Sequence, residues 1–140
     1  MKKKFLLLTL VGIIALGLFG CGNAEPATPP DLTGEWKQVN SASETAYQSA
    51  NIQGDIIEIY WIDEDTDTKS LYWAGTFIAP TTPDEPYTWD SANDTEKTDS
   101  SLMASTAPTK TITYENGQIS YDASALGVTQ TVKLEKEDTK

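Results

Sequence analysis

The stretch Thr109-Lys-Thr-Ile-Thr-Tyr-Glu-Asn-Gly-Gln-Ile-Ser-Tyr121 contains the strongest structural signal in this sequence. Its centre, Asn116-Gly117, is the dipeptide preferred in a two-residue type I′ turn, because both turn positions require positive φ. Antiparallel pairing across that turn places Tyr114 opposite Ile119 and Ile112 opposite Tyr121. These four side chains then share one face, while Thr and Ser occupy the other. The stretch therefore predicts a β-hairpin with one buried face.

The rest of the chain after Leu32 repeats this pattern of short β-runs separated by Gly, Asn, Asp and Pro. The predicted strands are 34–39, 46–52, 55–62, 69–77, 87–91, 109–115, 118–123 and 127–135. No amphipathic helix is expected, and the best candidate for one is 97–105. About 7–8 short antiparallel strands indicate an all-β fold, either a small up-and-down β-barrel or a sandwich.

A second hairpin is predicted in Ile57–Phe77, where two Tyr-Trp pairs flank an acidic loop. A loop centred on Thr66 pairs Ile57 with Gly75, Ile59 with Trp73, and Trp61 with Leu71. On the opposite face the same register pairs Tyr60 with Tyr72. The alternation of apolar and polar residues thus explains the whole segment as a two-stranded hairpin with one buried face.

The acidic loop itself has two interpretations. Asp63, Asp65 and Asp67 match the alternate carboxylates that begin an EF-hand-like calcium loop. Thr68 and Ala74 stand where that loop needs its turn glycine and its bidentate glutamate. We therefore predict a solvated turn, with a calcium site as the alternative.

The first twenty residues combine three lysines, an apolar run and a small residue before Cys21, as a signal peptide does. Leu18-Phe19-Gly20-Cys21 resembles the lipobox of bacterial lipoproteins, which implies cleavage before Cys21 and diacylation of its thiol. We predict a signal peptide at 1–20, a lipidated tether at 21–31 and a β domain at 32–140. The chain is then anchored on the extracytoplasmic face of the cell membrane.

Composition restricts the chemistry. The chain contains no histidine and no arginine, and the seven lysines outside the signal peptide oppose 21 acidic residues, a formal charge of −14. A surface so negative repels nucleic acid. Without histidine or a second cysteine there is no Ser-His-Asp unit, His-ligated metal or disulfide. We predict no enzymatic activity and no cofactor; a carboxylate-pair glycan hydrolase is the one catalytic alternative.

Two resemblances concern the β domain. Gly34-Glu35-Trp36 at the first strand resembles the Gly-X-Trp motif of lipocalin and calycin barrels. That resemblance implies an up-and-down barrel whose tryptophan packs at the closed end, under an arginine of the last strand, and an open end for a small apolar ligand. Larger pieces, at 32–37, 69–76, 87–89 and 131–134, resemble small lipoproteins of Gram-positive bacteria, a group that brings no assigned activity.

The aromatic residues are assigned mainly to the core. The predicted core comprises Trp36, Ile57, Ile59, Trp61, Leu71, Trp73, Ile112, Tyr114, Ile119, Tyr121, Val132 and Leu134. Trp89 is the predicted exception, because it follows the proline-rich loop 80–86. The predicted function is a non-catalytic binding module whose partner is an envelope protein or a small-molecule ligand. The predicted contact residues are Tyr87 and Trp89, with Tyr60 and Tyr72 as second choice. The alternative is a carrier with an internal cavity lined by Trp61, Trp73 and Tyr114.

Overall fold

A computed structural model of the chain describes residues 27–139. The predicted signal peptide and the predicted lipidation site, Cys21, lie outside these residues. Within 27–139 no helix is long and apolar enough to cross a bilayer.

The structure confirms the all-β prediction. Eight strands and one helical turn follow one another as β1 (Gly34–Gln38), β2 (Ala46–Gln53), β3 (Ile56–Asp63), β4 (Thr68–Thr76), β5 (Tyr87–Ala92), α1 (Thr95–Thr98), β6 (Thr109–Glu115), β7 (Gln118–Ala125) and β8 (Val128–Lys136). Each strand lies within two residues of its predicted bounds. The helix candidate at 97–105 forms only the end of α1, because Ser and Thr in this segment bond locally to the backbone.

The strands form one antiparallel sheet in the order β4-β3-β2-β1-β8-β7-β6-β5. Its two edge strands meet at a single bridge between Gly75 and Asn93, and Asp94 N donates to Ala74 O at 2.8 Å. The architecture is therefore a nearly closed up-and-down barrel. A Cβ on Gly75 would lie 2.6 Å from Ala92 O and from Trp73 Nε1, so only glycine allows the two edges this close.

One predicted register needs correction, and one predicted ladder is shorter than expected. Ile57 pairs with Gly75 and Ile59 with Trp73 as predicted, but a β-bulge after Ile59 makes Tyr60 the partner of Leu71 and Trp61 the partner of Ser70. The predicted pairs Trp61–Leu71 and Tyr60–Tyr72 are therefore wrong. Between β6 and β7, Tyr114 pairs with Ile119 as predicted, but the ladder ends one residue later at Thr113–Ser120. The predicted pair Ile112–Tyr121 lies beyond that ladder.

Large apolar side chains fill one end of the barrel, here called the closed end. Its fully buried residues include Trp36, Ile52, Ile57, Ile119 and Leu134. Trp36 Nε1 donates to Leu32 O at 2.9 Å, and the Tyr114 ring meets the Trp36 ring edge-on at 6.4 Å. Lys136 is the register partner of Trp36, and Lys136 Nζ donates to Asp31 O at 2.9 Å.

Candidate functional site

The opposite end of the barrel, here called the mouth, is not filled. A cavity of about 400 Å³ opens between the start of β2, the end of β3 and the β7–β8 hairpin. We call it the first cavity. Its apolar wall includes Ala46, Trp61, Ala123, Val128 and Val132. A pocket of this size and character is typical of small-molecule sites.

The bulge in the β3–β4 hairpin shapes this wall. It brings Tyr72 into the barrel, where Tyr72 is buried and meets the Trp61 ring edge-on at 5.4 Å. Tyr60 stays on the outer surface, where its hydroxyl donates to Glu58 and Lys69 Nζ lies 4.1 Å from its ring centroid. The predicted contact pair Tyr60 and Tyr72 is thus split between the outside and the inside of the barrel.

A second cavity of about 340 Å³ adjoins the first, since both are lined by Trp61 and Ala125. Its remaining wall includes Tyr72, and its rim carries Leu102, Met103 and Leu126. Leu102 and Leu126 are fully exposed, and Val128, which lines the first cavity, is 68% exposed. Exposed apolar side chains gathered around an apolar cavity mark an interaction site, whereas scattered ones carry no such information.

The turn that carries Leu126 supports this interpretation. Leu126-Gly127 has φ values of 52° and 78°, nearly the same as 53° and 78° at Asn116-Gly117. Asparagine suits the first position because it tolerates the left-handed region, whereas leucine there is strained. The chain therefore uses the favourable residue at the closed end and a strained, exposed leucine at the mouth.

Polar side chains line the inner wall below the mouth, and sequence reasoning missed them. Lys110, only 9% exposed, donates through Nζ to Tyr72 Oη at 3.1 Å and to Asp122 O at 2.9 Å. Nζ also lies within 6 Å of the Tyr72, Trp73 and Tyr121 ring centroids. Lys110 occupies an inward position in the alternation of β6, together with Ile112 and Tyr114. This two-residue period could have identified Lys110 as an inward residue from the sequence.

A third cavity, more polar than the others, leads to this lysine. Lys110 and Asp122 line it together with Ala104, Ser105 and Ser124. The third cavity adjoins the second, because Tyr72, Ala104, Ser105 and Ser124 line both. The loop that lines both cavities is held against β4 by Ser105 N, which donates to Tyr72 O at 2.8 Å.

Another polar pair is buried nearby. Tyr121 Oη donates to Gln48 Oε1 at 2.6 Å, and both residues are buried. Burial raises the pKa of Tyr121 well above its usual value, so the phenol is neutral at physiological pH. Among residues 27–139, the amide Nε2 of Gln48 has no hydrogen-bond partner.

The predicted contact surface at Tyr87 and Trp89 has a different geometry. Trp89 is only 3% exposed: its ring meets Phe77 edge-on at 5.2 Å, and Nε1 donates to Thr76 O. Its exclusion from the predicted core was wrong. Tyr87 is half-buried, stacks on Trp89 and donates to Ile78 O at 2.6 Å. Burial raises the pKa of Tyr87. A protein contact at Tyr87 and the adjoining loop stays a prediction.

The predicted carrier cavity is only partly matched. Trp61 lines the first and second cavities, whereas Trp73 is fully buried and donates to Ser91 Oγ at 3.0 Å. Tyr114 lies at the closed end against Trp36. Trp61 and Tyr114 are half-buried and pack against the core, as predicted. Leu71 faces outward after the bulge, so its assignment to the core was wrong.

The acidic loop forms a hydrogen-bonded turn. Asp63 Oδ1 accepts from the backbone N–H groups of Asp65 and Thr66, and Asp65 Oδ2 accepts from Thr45 Oγ1. Asp67 adopts positive φ. Across residues 27–139 no three His, Cys, Asp or Glu side chains are arranged to hold a metal ion.

Carboxylates are scarce inside the cavities, although the acidic β3–β4 turn with Asp63, Asp65 and Asp67 lies at the same end of the barrel. The three cavities together are lined by one carboxylate residue, Asp122, whose Oδ1 accepts a hydrogen bond from Thr131 Oγ1.

Comparison of the chain with protein-family models, with curated protein sequences and with solved structures gives no match.

Proposed function

We propose that this chain is a non-catalytic, lipid-anchored binding protein of the extracytoplasmic membrane face, and that the mouth of its barrel takes a small molecule with an apolar body. The observation that carries the proposal is the pair of adjoining apolar cavities with Trp61 between them. The exposed Leu102, Leu126 and Val128 extend this apolar surface to the rim. A lipocalin-like carrier, the alternative from the sequence, is the function that this geometry favours.

The position of the tether relative to the mouth is compatible with uptake and release of a small molecule at the mouth. β1 starts at the closed end, where Gly34 pairs with Ile52 at the end of β2. The tether that precedes β1 therefore joins the barrel at the closed end, on the side opposite the mouth. If Cys21 carries the predicted acyl chains, the mouth faces away from the attachment point. A tether of about 10 residues spans roughly 30 Å when extended, which leaves room for the cargo to reach the mouth.

The test is native mass spectrometry on the chain recovered gently from the membrane fraction of its own host. We expect a reproducible additional mass of a small molecule on the wild-type protein. Ala125→Trp places an indole between the first and second cavities and should remove that mass. The control Thr88→Trp adds the same side chain at an exposed position of β5, outside the three cavities, and should retain it.

Three results would each contradict one part of the proposal. Recovery of the wild-type chain without any additional mass, or retention of the same mass by folded Ala125→Trp, would exclude the mouth as a cargo site. Recovery of the protein from the soluble fraction would instead contradict the anchoring at Cys21 and leave the mouth unaffected.

A further inference from the structure

The inner wall of the mouth holds a cation that forms no salt bridge: Asp122, the one carboxylate residue lining the same cavity, meets Lys110 through its backbone carbonyl, and its Oδ1 accepts from Thr131 Oγ1. Lys110 is nine-tenths buried, and its recorded acceptors are two neutral oxygens, Tyr72 Oη and Asp122 O. The one salt bridge within residues 27–139 joins Lys97 to Glu58, on the outer surface. Buried charges in proteins are normally paired, because desolvation of an isolated ion is costly. Lys110 Nζ has three donors, so one donor remains for a further acceptor.

The third cavity gives such an acceptor a place. It is lined by Lys110 and continues into the apolar second cavity through Tyr72, Ala104, Ser105 and Ser124. A path therefore leads from the apolar rim, past Trp61, to a buried ammonium group. One end of this path suits an apolar body and the other suits a negative charge.

We propose that the mouth takes an amphiphile with an anionic head group, which Lys110 binds in the third cavity while the apolar body occupies the first and second. This inference rests on the proposed function and specifies its ligand. A carboxylate accepts charge-assisted hydrogen bonds from an ammonium, and these are stronger than the bonds that a neutral hydroxyl makes. The residues after the predicted signal peptide carry a formal charge of −14, which disfavours binding of anions elsewhere on the surface. Tighter binding of an anionic ligand than of a neutral one would therefore be attributable to Lys110.

The experiment compares three probes that share one alkyl chain: dodecanoate, dodecan-1-ol and dodecyltrimethylammonium. Each displaces the neutral fluorescent probe N-phenyl-1-naphthylamine from the wild-type protein at low salt, below the micelle concentration. We expect dodecanoate to bind at least about tenfold more tightly than the alcohol, and the cation to bind most weakly.

The outcomes separate the two proposals. Equal affinity for the acid and the alcohol, or tighter binding of the cation, would overturn the anionic head group while the apolar site stands. Absence of binding by the fluorescent probe and by all three ligands would overturn both.

Variants test the part played by Lys110. Lys110→Met keeps an unbranched side chain one atom shorter than lysine and removes the charge, and should reduce the acid-to-alcohol preference to about one. If this variant fails to fold, Ala104→Glu serves instead, because its carboxylate enters the wall shared by the second and third cavities and competes for the ammonium. Thr88→Glu makes the same charge change on the outer face and should keep the preference. An unchanged preference in a folded Lys110→Met protein would overturn the inference.

Discussion

The two ends of the barrel are built from the same strands but are packed in opposite ways. At the closed end, inward positions hold Trp36, Ile52, Ile57, Ile119 and Leu134, all fully or almost fully buried. At the mouth, the corresponding interior holds Gln48, Lys110, Tyr121 and Ala123, beside open cavities. Dense apolar packing stabilises a fold, whereas unfilled space and buried polar groups reduce its stability. The comparison indicates that the closed end holds the barrel together and that the mouth serves binding.

Exchanging tryptophan for alanine at each end should give the largest difference in the free energy of unfolding. Trp36→Ala removes a fully buried ring and its hydrogen bond to Leu32 O, and should lower the free energy of unfolding by about 3–5 kcal/mol. Trp61→Ala removes a partly exposed ring that faces a cavity, and should cost only about 1–2 kcal/mol. Urea denaturation followed by circular dichroism measures both values.

The cargo should respond in the reverse order. Trp61→Ala should lose the additional mass seen by native mass spectrometry, because Trp61 lines both apolar cavities. Since Trp36→Ala risks complete unfolding, Trp36→Phe supplies a milder variant that stays folded and keeps its cargo. Equal losses of stability at Trp36 and Trp61 would remove the distinction between the two ends.

A smaller effect is expected from the buried polar pair at the mouth. Tyr121→Phe leaves both amide atoms of Gln48 without partners and should cost about 1–2 kcal/mol. Gln48→Leu combined with Tyr121→Phe removes every side-chain polar atom of the pair, so stability should return to the wild-type value or exceed it. Chemical denaturation of the single and double variants distinguishes these outcomes. A double variant less stable than Tyr121→Phe alone would show that the pair stabilises the mouth.

The fold was predictable from the sequence because its signals are local. Asn116-Gly117 determines its own turn, and period-two alternation locates each strand without knowledge of its neighbours. The bulge after Ile59 escaped prediction, because a symmetric loop is the simplest register and nothing local indicates the extra residue. The extra residue is Tyr72 itself, and its hydroxyl accepts from Lys110 Nζ inside the barrel.

The candidate site was less predictable because it depends on contacts between distant segments. Trp89 follows a proline-rich loop, but its burial is set by Phe77 and Thr76 on the other edge of the barrel. Lys110 was not among the residues singled out from the sequence, although its alternation with Ile112 indicated an inward position. The loop at 99–107 gave no pattern of its own, and its placement against Tyr72 creates the second and third cavities.

The smallest predicted effect compares the two turns with matched geometry. Leu126→Asn places a residue that tolerates positive φ at the mouth turn and should raise the free energy of unfolding by about 0.5–1 kcal/mol. The same change removes an exposed apolar side chain from the rim, so affinity for N-phenyl-1-naphthylamine should fall. Asn116→Leu is the matched reverse change, and should lower stability by a similar amount without affecting the probe. A gain in stability at Leu126 together with a loss of affinity means that the mouth keeps a strained leucine for binding. A loss of stability in Leu126→Asn would mean that the leucine serves the fold, and the two ends would then differ less than their packing indicates.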